Sequence, residues 1–174
     1  MSMTNAVSSG IEAYQLGRTF EVMPIPMIPE HCVEVPAGPV TFVVESRNLS
    51  DEAINTNAVD RGRPDQTFDT GIDDGGACVH VLETEGGAEW LRFDCFDNEP
   101  HYHYVRNTEQ TNQVIRFDQF AEGDPEAWTL ARLRSNLPAM LSYAGAGELA
   151  GLVERADLRE AIDEVAAVLR RLHA

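Results

Sequence analysis

Four strand-length runs, Ala77–Glu83, Ala88–Phe96, His101–Arg106 and Asn112–Asp118, follow one another with only hairpin-length gaps between them. The gaps hold Gly86-Gly87, Asp97–Pro100 and Asn107–Thr111, which carry the turn residues short antiparallel connections need. At Gly123-Asp124-Pro125 the apolar period changes from two to three and four. Asp124 is a good N-cap and Pro125 a good first helical residue. Leu130, Leu133, Leu137 and Met140-Leu141 then form a stripe that Pro138 should kink or break. Gly145 and Gly147 are expected to end that helix. A last helix starts near Asp157 and Glu160, a capping-box-like pair, with Leu158, Ile162, Val165, Leu169 and Leu172 on one face. The pattern predicts an α+β fold: an antiparallel meander or sandwich-like sheet of five or six strands, with two or three C-terminal helices on one face.

Upstream, Val33–Val35 and Val40–Glu45 flank a Pro36–Pro39 turn and read as a hairpin. Pro24, Pro26 and Pro29 among Met23, Ile25, Met27 and Ile28 rule out a helix and suggest an extended strap across the fold. Residues 46–76 are polar and turn-rich, and read as a long loop. Asp69, Asp73 and Asp74 lie there, but an EF-hand counted from Asp69 would need Glu where His80 stands. Residues 1–10 are expected to be a disordered tail, and 11–174 a single domain, mainly β over 11–120 and helical over 124–173.

The chain carries 29 acidic residues against 13 basic ones, a formal charge of -16, and no lysine. Such a surface repels nucleic acid and anionic lipid. No apolar run approaches the ~18 residues of a membrane span. The N-terminus lacks the features of a signal peptide, and three scattered cysteines suit a reducing compartment, so a cytoplasmic location is expected. Gly145-Ala146-Gly147 follows a helix where a dinucleotide fingerprint requires a strand. Neither a nucleophile elbow nor a phosphate loop is present.

Chemistry concentrates in residues 89–104. If the four-residue gap closes a hairpin, Phe96 opposes His101, Asp94 opposes His103 and Arg92 opposes Val105. A two-residue turn at Gly86-Gly87 pairs Val81 with Arg92 and Val79 with Asp94. The last hairpin sets Val114 against His103 and Arg116 against His101. One face then holds Cys78, His80, Leu82, Leu91, Phe93, Cys95, Tyr102, Tyr104, Ile115 and Phe117, and is the expected core face. The other holds Trp90, Arg92, Asp94, Phe96, His101, His103, Arg116 and Asp118.

Three readings fit that second face. His101, His103 and Asp94 form a two-histidine, one-carboxylate set for Fe, Mn or Zn, with Glu99 or Glu109 as substitutes for the aspartate. Alternatively, Arg92 and Arg116 bind a small acidic ligand against Trp90 and Phe96, with His103, oriented by Asp94, as the catalytic base. The third is a solvated mixed-charge surface. A non-catalytic accessory subunit, docking a protein partner through its acidic surface and the 46–76 loop, is the competing class.

Two local resemblances bear on this stretch. His101-Tyr102-His103…Glu109 resembles the His-x-His…Glu metal motif of cupins, with one residue more before the Glu and no second motif. Arg92-Phe93-Asp94-Cys95-Phe96 with Pro100-His101-Tyr102-His103-Tyr104 resembles a motif of uncharacterised small bacterial α+β proteins, which implies no activity. Val35–Val44 is similar to an early strand pair of cupredoxin sandwiches; the copper-binding C-terminal loop of that family has no counterpart here.

Overall fold

The computed structural model describes residues 16–60, 62 and 67–174. The expected tail at 1–10 lies outside them. Seven strands form one open antiparallel sheet. They are β1 (Arg18–Phe20), β2 (Cys32–Ala37), β3 (Val40–Ser50), β4 (Asp73–Glu83), β5 (Glu89–Phe96), β6 (His101–Arg106) and β7 (Thr111–Arg116). The spatial order is β1-β7-β6-β5-β4-β3-β2, so β2 to β7 meander in chain order and β1 closes the far edge. The sheet thus exceeds the expected five or six strands, the extra one being the three-residue β1 paired to β7.

The expected 46–76 loop is shorter than its composition suggests. β3 continues to Ser50, and α1 (Asp51–Asp60) follows directly. The Ala53 amide donates to Ser50 Oγ at 3.3 Å, and Asp51 and Glu52 sit at the positive helix end. Asp51 also accepts from the Thr70 amide at 3.0 Å, the Thr70 hydroxyl at 2.6 Å and the Gly71 amide at 2.7 Å. That contact ties residues 70–72 back against α1.

After β7 come α2 (Gln119–Glu122), α3 (Pro125–Ser135), α4 (Leu137–Ala144), α5 (Gly147–Val153) and α6 (Arg159–Leu172). Asp124 caps α3 by accepting from the Ala127 amide at 2.8 Å. Pro138 breaks the stripe as its missing N–H demands, so α3 stops at Ser135 and α4 restarts with the proline in its first turn. Gly145, at φ 104°, ends α4 in the left-handed conformation. Gly147 begins α5 instead of ending a helix. Asp157 does not cap α6: its carboxylate is held by Arg159, through the amide at 3.1 Å and the guanidinium at 3.0 and 2.7 Å. Leu158, Ile162, Val165 and Leu169 are buried, whereas Leu172, in the last turn, is 40% exposed.

Helices α3, α4 and α6 lie on one face of the sheet. Val40, Phe42, Val44, Val79, Val81, Leu91 and Phe93 point at them and form the core with Leu133, Leu137, Leu141, Val165 and Leu169. The opposite face is crossed by residues 22–28. Arg47 on β3 donates to the Pro26 carbonyl at 2.5 Å, Glu45 accepts from the Ile28 amide at 2.9 Å, and Asn112 on β7 donates to the Val22 carbonyl at 2.6 Å. The proline-rich segment is the strap its sequence suggests, and it lies over the polar side of the sheet. No helix among the described residues is long and apolar enough to cross a membrane.

Candidate functional site

The register places the polar side chains in two cross-strand rows. Glu45, Cys78, Asp94, His101 and Arg116 are consecutive partners in one, and Val43, His80, Arg92, His103 and Val114 in the next. Three expectations change. Between β5 and β6 the pairs are Asp94/His101 and Arg92/His103, two residues from the expected alignment. A slip of two leaves each residue on its own face.

Between β4 and β5 the slip is one residue, which inverts β4. Cys78 pairs with Asp94 and His80 with Arg92, so both belong to the polar face, and Val79 and Val81 to the core. The cause is a longer turn plus a bulge. Glu83 bonds to the Ala88 carbonyl at 2.8 Å, so the loop spans residues 84–87, and the ladder jumps from Val81/Leu91 to Leu82/Glu89. Trp90 is the unpaired bulge residue. It packs against the core, near Gly145, and is absent from the polar face to which its spacing assigned it. Glu89 takes its place there.

The arginines do not converge. Arg92 is buried and spent on Glu89, donating from Nε to Oε1 and from Nη2 to Oε2, both at 2.9 Å. Its pKa is raised: burial works against the charge, but the Glu89 carboxylate outweighs it. The same pairing, with a hydrogen bond from His80, overcomes burial to hold Glu89 down at about 2. Arg116 is exposed and pairs with Glu99 at 2.9 Å. The proposed arginine clamp for an acidic ligand is therefore not assembled.

Asp94, His101 and His103 do converge. Asp94 Oδ2 lies 3.1 Å from His101 Nε2 and 3.0 Å from His103 Nε2. Two ligands at right angles around an ion, each about 2.0–2.2 Å from it, stand roughly 3 Å apart. Asp94 is 4% and His103 8% exposed, while His101 is half-buried with Phe96 edge-on to its ring at 5.6 Å. Glu99 and Glu109 are not in the cluster; Glu99 contributes its backbone carbonyl.

The outer ring nitrogens fix the tautomers. His101 Nδ1 is 2.8 Å from the Glu99 carbonyl, which can only accept. His103 Nδ1 is 2.9 Å from Asn112 Oδ1, and the Asn112 amide nitrogen is committed to Val22, so that oxygen also only accepts. Each neutral ring then carries its proton on Nδ1 and turns an Nε2 lone pair toward Asp94. A cation must lie between them, whether proton or metal. In the metal-free protein, burial lowers the His101 pKa, but the Asp94 hydrogen bond and charge outweigh it and leave it raised. Burial likewise opposes the Asp94 carboxylate, yet hydrogen bonds from the two histidines hold it well below the usual range.

A cleft of about 310 Å³ opens beside His101, walled by Leu49, Thr70, Ile72, Asp74, Phe96 and Glu99. Its rim is built rather than loose. Asp74 Oδ1 accepts from the Asn98 amide at 3.1 Å, and Oδ2 from the Glu99 amide at 2.8 Å, fixing the β5–β6 turn. Asp51 holds the facing Thr70–Gly71 segment. A second group, Glu45, Cys78 and His80, is buried farther from the cleft. The expected register hides it, because it puts Cys78 and His80 on the core face and the one-residue slip moves both to the polar face.

No curated protein and no solved structure matches the chain. A model of a family described as "Domain of unknown function (DUF7700)" matches residues 34–169. That span takes in both polar rows from Glu45 to His103 and Asn112, and omits the 22–28 strap. With most of its length matched, the chain belongs to the DUF7700 family, a domain of unknown function.

Proposed function

We propose that Asp94, His101 and His103 hold a divalent transition-metal ion, and that the protein is a metal-dependent enzyme acting on a small ligand that enters beside His101. The observation that supports it best is the pair of pinned Nδ1 atoms. Metal-binding histidines characteristically donate their other N–H to a carbonyl or carboxylate, which aims the free lone pair at the ion. Here a backbone carbonyl and an oriented amide do this for two rings that share one carboxylate oxygen.

A facial set of two imidazoles and one carboxylate suits Fe(II), Mn(II) or Zn(II) and leaves coordination positions open. Bound there, the ion would acidify a water or polarise a substrate oxygen. The protein supplies the ligand geometry, the dry surround of the strap and the cleft. Neither histidine is then free as a general base, since both nitrogens of each ring are engaged. A solvated-surface reading sits poorly with the burial of Asp94 and His103.

Calorimetric titration of untagged protein with Zn(II), Mn(II) and anaerobic Fe(II) tests the site. One equivalent should bind at Asp94–His101–His103 and be lost in His101→Ala and His103→Ala. Asp94→Asn should weaken it, and because Asp94 raises the His101 pKa above the ordinary 6.5, proton competition should weaken binding as pH falls from above that value. Affinity unchanged in both alanine variants would exclude this site and leave the accessory-subunit class standing.

A further inference from the structure

Glu45, Cys78 and His80, each fully buried, offer a carboxylate oxygen, a thiol sulfur and a ring nitrogen within 4.8 Å of one another. The set repeats the outer-ligand logic of the first. His80 Nδ1 lies 2.7 Å from Glu89 Oε1, on a carboxylate already gripped twice by Arg92. With its proton there, the ring turns Nε2 toward Glu45 Oε2, 3.1 Å away. Glu45 is oriented in turn by the Ile28 amide on Oε1 and by Arg47 Nε, 3.1 Å from Oε2.

A second observation comes from Asp94. Its Oδ2 serves both His101 and His103, while Oδ1 is buried with no full hydrogen bond, the Cys78 thiol being the group that lies against the carboxylate. A thiol is a weak donor, so this buried acceptor is poorly satisfied. Asp94 stands directly between the two groups in its row, with Cys78 on one side and His101 on the other.

We propose that Glu45, Cys78 and His80 hold a second divalent ion, zinc by ligand type, and that Asp94 bridges the two metals through its two oxygens. The bridge rests on the metal reading of Asp94–His101–His103; the Glu45–Cys78–His80 set stands without it. A thiolate selects a softer ion than carboxylate and imidazole alone would. The second set has three ligands together, and Asp94, the cross-strand neighbour of Cys78, is the residue that would supply the fourth of a closed tetrahedral zinc site. The first set has three and faces the cleft, so the two sites divide into one that holds the layer together and one that meets ligand.

Charge is consistent with this division. In the layer, Glu45, Asp74, Glu89 and Asp94 face Arg47 and Arg92, an excess of two negative charges, and a Cys78 thiolate makes it three. One divalent ion in the closed site leaves one negative charge. An ion in the open site then turns the layer net positive by one charge, which favours hydroxide or an anionic ligand at its free positions.

Cobalt(II) titration of the full-length, untagged, reduced chain separates the sites. The wild type should bind two equivalents and develop one equivalent's worth of near-ultraviolet thiolate-to-cobalt charge transfer. Cys78→Ser should lose that band and one equivalent. His103→Ala should lose the other equivalent and keep the band. The Cys32→Ser/Cys95→Ser double variant, whose one remaining thiol is Cys78, should keep both equivalents and the band, and it decides the matter if Cys78→Ser does not fold. No thiolate band in the wild type, or a band missing from the double variant, would overturn the second site. One equivalent with the band and a silent His103→Ala would support this site while refuting the first.

Discussion

On the helix side of the sheet, Val40, Phe42, Val79, Val81, Leu91 and Phe93 are buried by apolar side chains from the helices. On the strap side, Glu45, His80, Arg92, Asp94 and His103 are buried by one another and by residues 22–28. The same strands supply both layers by alternation. The helix face is held by area and close packing, which degrade gradually when a side chain shrinks. The strap face is held by mutual satisfaction of charges, in which removing one partner strands another out of water. Stability and chemistry are thus placed on opposite sides of one sheet.

The largest effect should come from breaking the polar layer. Arg92→Met leaves Glu89 without its two guanidinium donors and Asp94 without one of its neighbouring cations, and should cost about 3–5 kcal/mol in urea unfolding. Truncating the apolar side should cost less for a similar depth of burial. Ile162→Ala should lose about 3 kcal/mol, within the ~2–5 usual for a core cavity. If Arg92→Met proved the milder of the two, the contrast between the faces would collapse.

Acid should separate the faces next. Glu89 has its pKa depressed from 4.5 to about 2 in the folded protein, so its charge stabilises the fold fully above pH 4.5. That contribution disappears as pH falls through about 2 and is worth about 3 kcal/mol. Glu89→Gln should flatten the pH dependence of unfolding across this window, whereas Ile162→Ala should shift stability equally at every pH. The smallest effect belongs to the exposed pairs. Arg171→Ala, which breaks the 3.0 Å contact with Glu164, should change stability by under about 0.5 kcal/mol.

The same contrast explains what the sequence made legible. The register of β6 and β7 is readable because the turn between them sets it: His103/Val114 and His101/Arg116 pair as expected. The Asp94–His101–His103 grouping survived a two-residue error because parity decides the face. The partners on β4 were lost to a one-residue error, since neither the bulge at Trp90 nor the four-residue turn has a signature beyond Gly86-Gly87. A signal was present, however. Ala77, Val79 and Val81 alternate with Cys78 and His80, and giving that alternation priority over the turn would have placed both on the polar face. α1 has few apolar residues to show a period, and only Ser50-Asp51-Glu52 marks its start. Burial of the polar face was not legible, because polar alternation ordinarily signals solvent and the strap that covers it is remote in sequence.

The most direct test of the metal centre is an anomalous-scattering map from crystals of the untagged protein grown with Mn(II) or Zn(II). A metal peak about 2.0–2.2 Å from Asp94 Oδ2, His101 Nε2 and His103 Nε2 is the predicted result. Well-ordered density for all three side chains at saturating metal, with no peak between them and both histidines still hydrogen-bonded to Asp94, would contradict it.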